Sequence, residues 1–156
     1  MASYDRAMAD RVWKRVQGER QEPPSGQREL DLRELIQNEW MAAAAYLQLA
    51  RQLGAREAAV LQRLAREEQA HGVCLKGMYR MMNGEVPAVK TPRPQRESVE
   101  TALRKAYAGE LKSIAAYDAR SDHPEYGQVF ADMAKQEREH SRAVLELLGR
   151  LGRETG

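Results

Sequence analysis

The sequence predicts an all-α protein, a bundle of four long helices with a short helix before it. Ala, Leu, Glu, Arg, Gln and Met dominate the 156 residues, and these residue types favour helices. Apolar residues recur every three or four positions along four long segments, which is the pattern of a helix with one buried face. No run of β-branched residues resembles a strand.

The amino-terminal segment, residues 1–27, is predicted to be a helical arm and linker, separate from the bundle domain in residues 28–156. Its helix, residues 1–16, has apolar residues at four-residue steps with Trp13 beside them. Residues 17–27 contain two glycines and two prolines, which is typical of a connector. We expect the helix to dock through Trp13 on its own bundle or on a partner's.

Four amphipathic segments follow, and each is predicted to be one helix of the bundle. The first is expected to end at Gly54 and the second at Gly84, because glycine commonly terminates helices. Pro124 is expected in the first turn of the fourth helix. The predicted helices span approximately residues 28–53, 56–82, 98–121 and 124–151.

The connections between these segments predict two antiparallel hairpins joined by a long crossover. Short turns separate the first helix from the second and the third from the fourth, whereas residues 84–97 contain three prolines and form a loop. A helix of about 25 residues spans about 37 Å, and about fourteen extended residues reach about 46 Å. The loop can therefore run the length of the bundle and leave the second and third helices parallel.

Charge and composition favour a soluble, cytoplasmic protein. The 25 basic and 23 acidic residues are mixed along the chain and give a formal charge of +2, so neither a nucleic-acid surface nor a membrane surface is indicated. No stretch approaches the roughly 18 consecutive apolar residues of a membrane span, and the amino terminus has no signal-peptide core. Cys74, the single cysteine, cannot form an internal disulfide, which suits a reducing compartment.

Glutamates interrupt the apolar stripe of every predicted bundle helix near its middle. Glu39 and Glu68 stand almost equally far along the chain from the turn at Gly54, one before it and the other after it. Glu110 and Glu137 flank the second turn in the same way, with His123 near the midpoint between them. Because antiparallel helices fold back at these turns, each pair of glutamates is expected at the same depth in the core.

Two histidines join the glutamates in this layer. His71 and His140 each follow a glutamate by three residues, so the glutamate and histidine project from one helix face. Buried carboxylates are costly unless a cation compensates them, and two divalent ions would balance four carboxylates and two neutral imidazoles. Mixed oxygen and imidazole ligands favour iron or manganese over structural zinc, and the set has the di-iron carboxylate pattern.

The two halves of the predicted bundle repeat the same positions. Glu39, Tyr46, Glu68 and His71 recur in the same order at positions 110, 117, 137 and 140, with a nearly constant offset. This indicates an internal duplication with pseudo-twofold symmetry and a dinuclear site on its axis. The hydroxyls of Tyr46 and Tyr117 are predicted to donate hydrogen bonds to ligand carboxylates; the alternative for each tyrosine is that it merely fills core volume.

Other assignments also have alternatives. A single Glu-x-x-His occurs often on helix surfaces, and the alternative to a metal site is a set of solvated charges, which requires misassigned apolar stripes. Glu67 could pair with His71 at four-residue spacing. The fourth helix has Gln136 at the matching position, so Glu68 is the preferred ligand. Cys74 is expected to be a buried structural thiol rather than a redox group.

These motifs resemble those of the rubrerythrins and, more broadly, of the ferritin-like superfamily, over about residues 28–150. The motifs that carry the resemblance are Glu39-Trp-Met-Ala-Ala-Ala-Ala-Tyr46, Glu67-Glu68-Gln-Ala-His71, Ala108-Gly109-Glu110 and Glu137-Arg-Glu-His140. The resemblance implies a ferritin-like four-helix bundle whose two metal ions share bridging ligands. The implied ligand sets share Glu68 and Glu137 and are completed by Glu39 with His71 and by Glu110 with His140.

The resemblance also implies the cofactors and the partners. The metals would be two iron ions, with manganese or mixed metals also compatible. No haem is expected, because Gln69 and Ala70 stand where bacterioferritins have a haem-ligating methionine. Rubrerythrins often carry a rubredoxin-like domain with four cysteines, whereas this chain has one cysteine, so a separate protein is expected to donate electrons. We also expect a homo-oligomer, a dimer.

The implied activity is reduction of hydrogen peroxide, or of dioxygen, by a di-iron oxidoreductase in which the same six residues are catalytic. The alternative is a ferritin-like protein that binds and oxidises iron for storage or handling; the short fifth helix of cage-forming ferritins has no counterpart before Gly156. Ser113 stands one turn after Glu110, where rubrerythrins usually have an additional carboxylate. We therefore expect His71 to remain a ligand in both oxidation states.

Overall fold

The computed structural model describes residues 32–93 and 95–154, and within these residues it contains helices and no strands. The predicted all-α four-helix bundle is confirmed. The predicted arm and linker of residues 1–27 lie outside the described residues and stay a prediction. The four helices are α1 (Leu32–Ala50), α2 (Ala55–Asn83), α3 (Val99–Asp118) and α4 (Gly127–Glu154).

The helices form two hairpins that pack face to face. α1 packs mainly on α2 and α3 mainly on α4, while α1 also contacts α3 and α2 also contacts α4. Between the hairpins, Tyr46 contacts Glu110 and Glu39 contacts Tyr117, so the numbering rises along one helix as it falls along the other. α1 is therefore antiparallel to both α2 and α3, which leaves α2 and α3 parallel, as the length of the connecting loop predicts.

The crossover loop runs along α1 from one end of the bundle to the other. Lys90 donates its backbone N–H to the Gln37 side chain at 2.8 Å, and the Gln37 amide donates back to the Lys90 carbonyl at 3.0 Å. Further along, the Gln48 amide donates to the Gln95 carbonyl at 3.4 Å. Because both residue numbers rise together, the loop follows the direction of α1.

Two glycines and a serine fix the helix ends that position the site. Gly84 ends α2 in the left-handed region at φ 76°, where its N–H donates to the Arg80 carbonyl. Ser98 caps α3 by accepting the Thr101 N–H at 3.1 Å. Gly127 begins α4, where a Cβ atom would collide with the Ser121 carbonyl oxygen.

Some predicted bounds were wrong by about three residues. α1 ends at Ala50 rather than at residue 53, and α3 ends at Asp118 rather than at residue 121. Pro124 lies in the turn before α4 rather than in its first helical turn. The reason is His123, whose Nδ1 accepts the backbone N–H groups of residues 125 and 126 at 3.1 Å each and so holds an extra turn.

The core consists of two apolar ends separated by a polar layer. The end near the α1–α2 turn and the opposite end are both filled by side chains that are at most 3% exposed, among them Leu49, Leu61, Leu64, Leu103, Leu147, Leu32, Ile36, Leu75 and Phe130. Apolar walls on both sides keep water from the polar layer and strengthen its electrostatic interactions. Among the described residues, no helix has both the length and the apolar character that a bilayer crossing requires.

Candidate metal centre

All six predicted ligands lie together in the polar layer of the core. α1 and α3 each contribute one glutamate, and α2 and α4 each contribute a glutamate and a histidine from adjacent turns of one face. None of the six side chains is more than 4% exposed. The residues are Glu39, Glu68, His71, Glu110, Glu137 and His140.

Glu68 and Glu137 each present one carboxylate oxygen to each histidine. The Nδ1 atom of His71 lies 3.3 Å from Glu68 Oε2 and 3.3 Å from Glu137 Oε1. The Nδ1 atom of His140 lies 3.2 Å from Glu68 Oε1 and 3.1 Å from Glu137 Oε2. Two carboxylates that face two histidines in this way have the arrangement of bridging ligands.

The other two glutamates each belong to one side of the cluster. Glu39 Oε2 lies 3.6 Å from Nδ1 of His71, and Glu110 Oε1 lies 3.8 Å from Nδ1 of His140. In each of two overlapping groups, the possible ligand atoms lie within 4.8 Å of one another. The groups are Glu39, Glu68, His71 and Glu137, and Glu68, Glu110, Glu137 and His140.

Several buried polar atoms of the cluster have no hydrogen-bond partner among the described residues. They include Oε2 of Glu39, Glu68 and Glu110, both carboxylate oxygens of Glu137 and Nδ1 of His71. A buried polar atom without a partner costs about 1–3 kcal/mol, and more when it is charged. These atoms converge on the same volume, so this donor set fits two divalent cations.

Two buried tyrosines cross-link the hairpins through the cluster. Tyr46 of α1 donates its hydroxyl to Glu110 of α3, and Tyr117 of α3 donates to Glu39 of α1. Both rings are 1% exposed. The predicted hydrogen bonds from the tyrosines to carboxylates are therefore present. Each hydroxyl orients a carboxylate that belongs to one side of the site, so neither tyrosine merely fills core volume.

The outer nitrogens of the histidines have partners that the sequence analysis did not assign. Nε2 of His140 lies 2.8 Å from Glu67 Oε2, and Nε2 of His71 is hydrogen-bonded to Gln136. The alternative pairing of Glu67 with His71 was wrong, because Glu67 reaches across to the other hairpin.

The protonation of the metal-free cluster follows from burial and from the close approach of its carboxyl groups and imidazole rings. Burial raises the pKa of Glu39 well above its ordinary value and that of Glu110 to about 12. Although burial opposes it, the nearby ring nitrogens of the two histidines lower the pKa of Glu137 to about 2, and the neighbouring Glu39 carboxyl group and both histidines lower the pKa of Glu68 well below its ordinary value. The histidine pKa values rise despite burial, that of His140 to about 10, because carboxylates surround both rings.

These shifts make the metal-free cluster electrically neutral near neutral pH. Glu39 and Glu110 are protonated, while the bridging pair is ionised and faces two imidazolium rings. The cluster therefore holds protons in the places where a metal ion would supply positive charge. Metal binding must release these protons, since ligands bind as carboxylates and neutral imidazoles.

A surface cleft between α2 and α4 reaches one side of the cluster. It has a volume of about 460 Å³, and its lining includes His71, Cys74, Met133 and Gln136. Cys74 is exposed in this cleft, so its predicted burial was wrong. Its neighbour Leu75 is fully buried and faces the core.

Comparisons with known proteins agree with this architecture. A family model described as Rubrerythrin matches residues 101–156. A solved structure described as a crystal structure of ferritin like, diiron-carboxylate proteins from Bacillus anthracis str. Ames superposes with a TM-score of 0.60 and 22% sequence identity, over 78% of this chain and 99% of that chain. No curated protein matches the chain. The family match contains Glu110, Tyr117, Glu137 and His140, which is the α3–α4 half of the cluster.

Proposed function

We propose that this chain, a rubrerythrin-like protein with the ferritin-like fold, is a non-haem di-iron oxidoreductase that reduces hydrogen peroxide. Each iron would be held by one histidine, one glutamate of its own and the shared pair Glu68 and Glu137. Glu39 and His71 would complete one position, and the other position would be completed by Glu110 with His140.

The observation that carries the proposal is the bridging arrangement of two buried carboxylates between two histidines. Four glutamates in an apolar core would repel one another without compensating charge. Oxygen and imidazole donors suit iron or manganese, and structural zinc prefers cysteine. The charge on the bound metals would change on oxidation and reduction, while hydrogen bonds from Tyr46 and Tyr117 would keep the carboxylates that they contact in place.

When bound, two ferrous ions would supply one electron each, and two electrons with two protons convert one hydrogen peroxide to two waters. The buried cluster favours a substrate of this size, because the cleft at His71 admits small molecules while the six ligands stay nearly inaccessible. With one cysteine, this chain does not form a four-cysteine iron site of its own. A separate protein is therefore proposed as the electron donor.

The proposal is tested by loading the protein with Fe²⁺ without oxygen and mixing it rapidly with hydrogen peroxide or with dioxygen. We expect peroxide to oxidise the iron faster, with about one peroxide consumed for each two irons. Glu146→Gln is the matched control, because that carboxylate on α4 is 64% exposed and paired with Arg150. Oxidation at least as fast by dioxygen would overturn peroxide as the substrate.

A second candidate function is ferroxidation for iron handling, which one feature of the cleft favours. Asp132 and Glu139 line the cleft beside His71 and could attract ferrous ions toward the site. Under this alternative, added Fe²⁺ would be oxidised through many turnovers, and ferric product would leave the site. Under the preferred proposal, oxidation stops at two irons per chain until a reductant is added.

The proposal also includes a homodimer in the cytoplasm. Size-exclusion chromatography with light scattering checks the first part, and fractionation of the producing cells checks the second. A monomeric protein would remove the dimer from the proposal without affecting the di-iron site, because all six proposed ligands belong to one chain.

A further inference from the structure

The two histidines of the cluster differ in the group that faces their outer ring nitrogen. Nε2 of His140 lies 2.8 Å from Glu67 Oε2, whereas Nε2 of His71 is hydrogen-bonded to the side-chain oxygen of Gln136. Glu67 and Gln136 are equivalent positions, since each immediately precedes the bridging glutamate of its own helix. The outer partner is therefore a carboxylate in one half of the site and a neutral amide in the other.

A carboxylate and an amide act differently on an imidazole that binds a metal. Both accept the ring N–H and keep the opposite nitrogen directed at the centre of the cluster. A charged acceptor forms the stronger hydrogen bond, and it also raises the basicity of the imidazole as a ligand. Loss of such an outer partner typically costs about 10- to 100-fold in metal affinity.

The surroundings of the two partners also differ. The Glu67 side chain is 33% exposed, and its other oxygen lies 3.6 Å from Arg63, which orients the carboxylate and offsets part of its charge. Gln136 is exposed and lines the cleft together with His71 and Lys135. The cleft therefore reaches the half of the site in which the histidine has the weaker hydrogen-bond acceptor.

We propose that Glu67 is a positioning residue that makes the two metal positions unequal. The position completed by Glu110 and His140 fills first and binds a divalent ion more tightly. The position completed by Glu39 and His71 fills second and exchanges its ion more readily. This inference rests on the proposed function and deepens it, because it assigns the exchangeable metal to the side of the cluster that faces the cleft.

The order of filling can be read from the histidines themselves. The chain has three histidines, and the third, His123, accepts backbone N–H groups in the α3–α4 turn and serves as an internal control. Metal-free protein labelled with ¹⁵N-histidine is titrated with Zn²⁺ as a diamagnetic probe, and the ring nitrogens are followed by NMR. We expect the His140 signals to change with the first equivalent and those of His71 with the second.

Exchanging the two outer partners distinguishes a positioning role of Glu67 from a purely structural role. Glu67→Gln places an amide in both halves and is expected to weaken the first binding step by about 10-fold or more. Gln136→Glu places a carboxylate in both halves and is expected to strengthen the second step. The double variant Glu67→Gln/Gln136→Glu keeps the composition and charge of the chain and is expected to reverse the order, so that His71 responds first.

The outcomes separate this inference from the proposed function. If two Zn²⁺ ions bind but His71 and His140 respond together in the wild type, or the double variant keeps the original order, the inference is overturned and the dinuclear site stands. If neither ring responds to Zn²⁺, and Fe²⁺ without oxygen does not bind either, both fail. Circular dichroism of each metal-free variant confirms that a changed order does not reflect a changed fold.

Discussion

The α1–α2 hairpin and the α3–α4 hairpin are alike on the faces that meet in the core and different on the faces that reach the surface. In the core, each hairpin contributes two glutamates, one histidine and one tyrosine at equivalent positions, and each tyrosine bonds to a glutamate of the other hairpin. At the edge of the site, Glu67 and Gln136 break the symmetry, and the cleft described above is lined by His71 and Gln136.

This comparison of core and edge shows which features both halves of a dinuclear site must share. All four buried carboxylates of the layer are needed to balance the charge of two divalent ions. Both hairpins therefore carry the same pair of glutamates. The outer partners of the histidines only adjust affinity, so a carboxylate and an amide both satisfy the ring N–H. The core therefore accounts for what the two proposed metal positions share, and the edge accounts for the proposed difference between them.

The largest expected effect comes from replacing a bridging carboxylate. Glu137→Gln removes a ligand from both positions at once, so we expect the affinity for both ions to fall by more than about 100-fold, the upper end of what an outer partner contributes. Glu68→Gln should do the same from the other hairpin. Isothermal titration calorimetry with Mn²⁺ measures both steps, and Glu146→Gln is the exposed control on the same helix.

The symmetry of the core would be contradicted if one bridging variant lost both ions and the other lost neither. Glu39→Gln and Glu110→Gln provide the matched comparison, because each removes a ligand from one position. We expect each of them to retain one tight ion, and the same titration shows whether it does.

Removing the metal is expected to lower stability by about 4 kcal/mol when the free metal is in thousandfold excess over its dissociation constant. For a chain of this length that corresponds to a decrease of about 8–16 °C in melting temperature. The metals would hold both hairpins together, so their loss should loosen the contact between hairpins. Calorimetry of Fe²⁺-loaded and chelated protein measures the effect, and identical melting temperatures would contradict it.

The stabilisation by metal is expected to increase with pH. Glu39 and Glu110 have raised pKa values in the metal-free fold, whereas unfolded glutamates ionise above about pH 4.3, so metal-free stability falls as the pH rises. His140 acts in the same direction, since its folded pKa of about 10 exceeds the unfolded value of about 6.5. Its contribution is complete below the unfolded value and is lost as the pH rises toward the folded one.

Metal affinity changes with pH in the opposite direction, because binding displaces the protons that the cluster holds. The gap in melting temperature between metal-loaded and metal-free protein should therefore be larger at about pH 8 than at about pH 5.5. Thermal melts at the two values, with and without chelator, measure the gap. A gap that narrows as the pH rises would show that the cluster is not protonated as described.

The smallest expected effect concerns the two tyrosines. Tyr46→Phe and Tyr117→Phe each remove one hydroxyl donor to a buried carboxyl group, so each should lower the free energy of unfolding by about 1–3 kcal/mol. If the halves are equivalent in the core, the two losses should agree to within about 0.5 kcal/mol. Urea denaturation of the metal-loaded protein measures both, and a loss confined to one tyrosine would break the symmetry.

Counting residues along the sequence predicted the inner part of the site because antiparallel helices fold back at identifiable turns. The distances of Glu39 and Glu68 from Gly54 place both at one depth, and the structure has them in one layer. The length of the loop predicted the crossover for the same reason, since reach depends only on residue number. These features follow from periodicity and spacing alone.

The edge of the site could not be predicted in this way, because it depends on how the helices are rotated against one another. Glu67 faces His140 only once α2 and α4 are packed, and nothing within α2 specifies that contact. Cys74 is three residues after His71, yet the helix presents Leu75 to the core and leaves the cysteine in the cleft. Rotations of this size follow from the packing of the whole core.

Anomalous diffraction at the iron edge from crystals of Fe²⁺-loaded protein tests the central claim most directly. We expect two peaks about 3.5–4 Å apart, the usual spacing in two-metal sites. Both peaks should lie between Glu68 and Glu137, one beside His71 and the other beside His140. A single peak, or iron only at the protein surface, would contradict a dinuclear site in the core of this bundle.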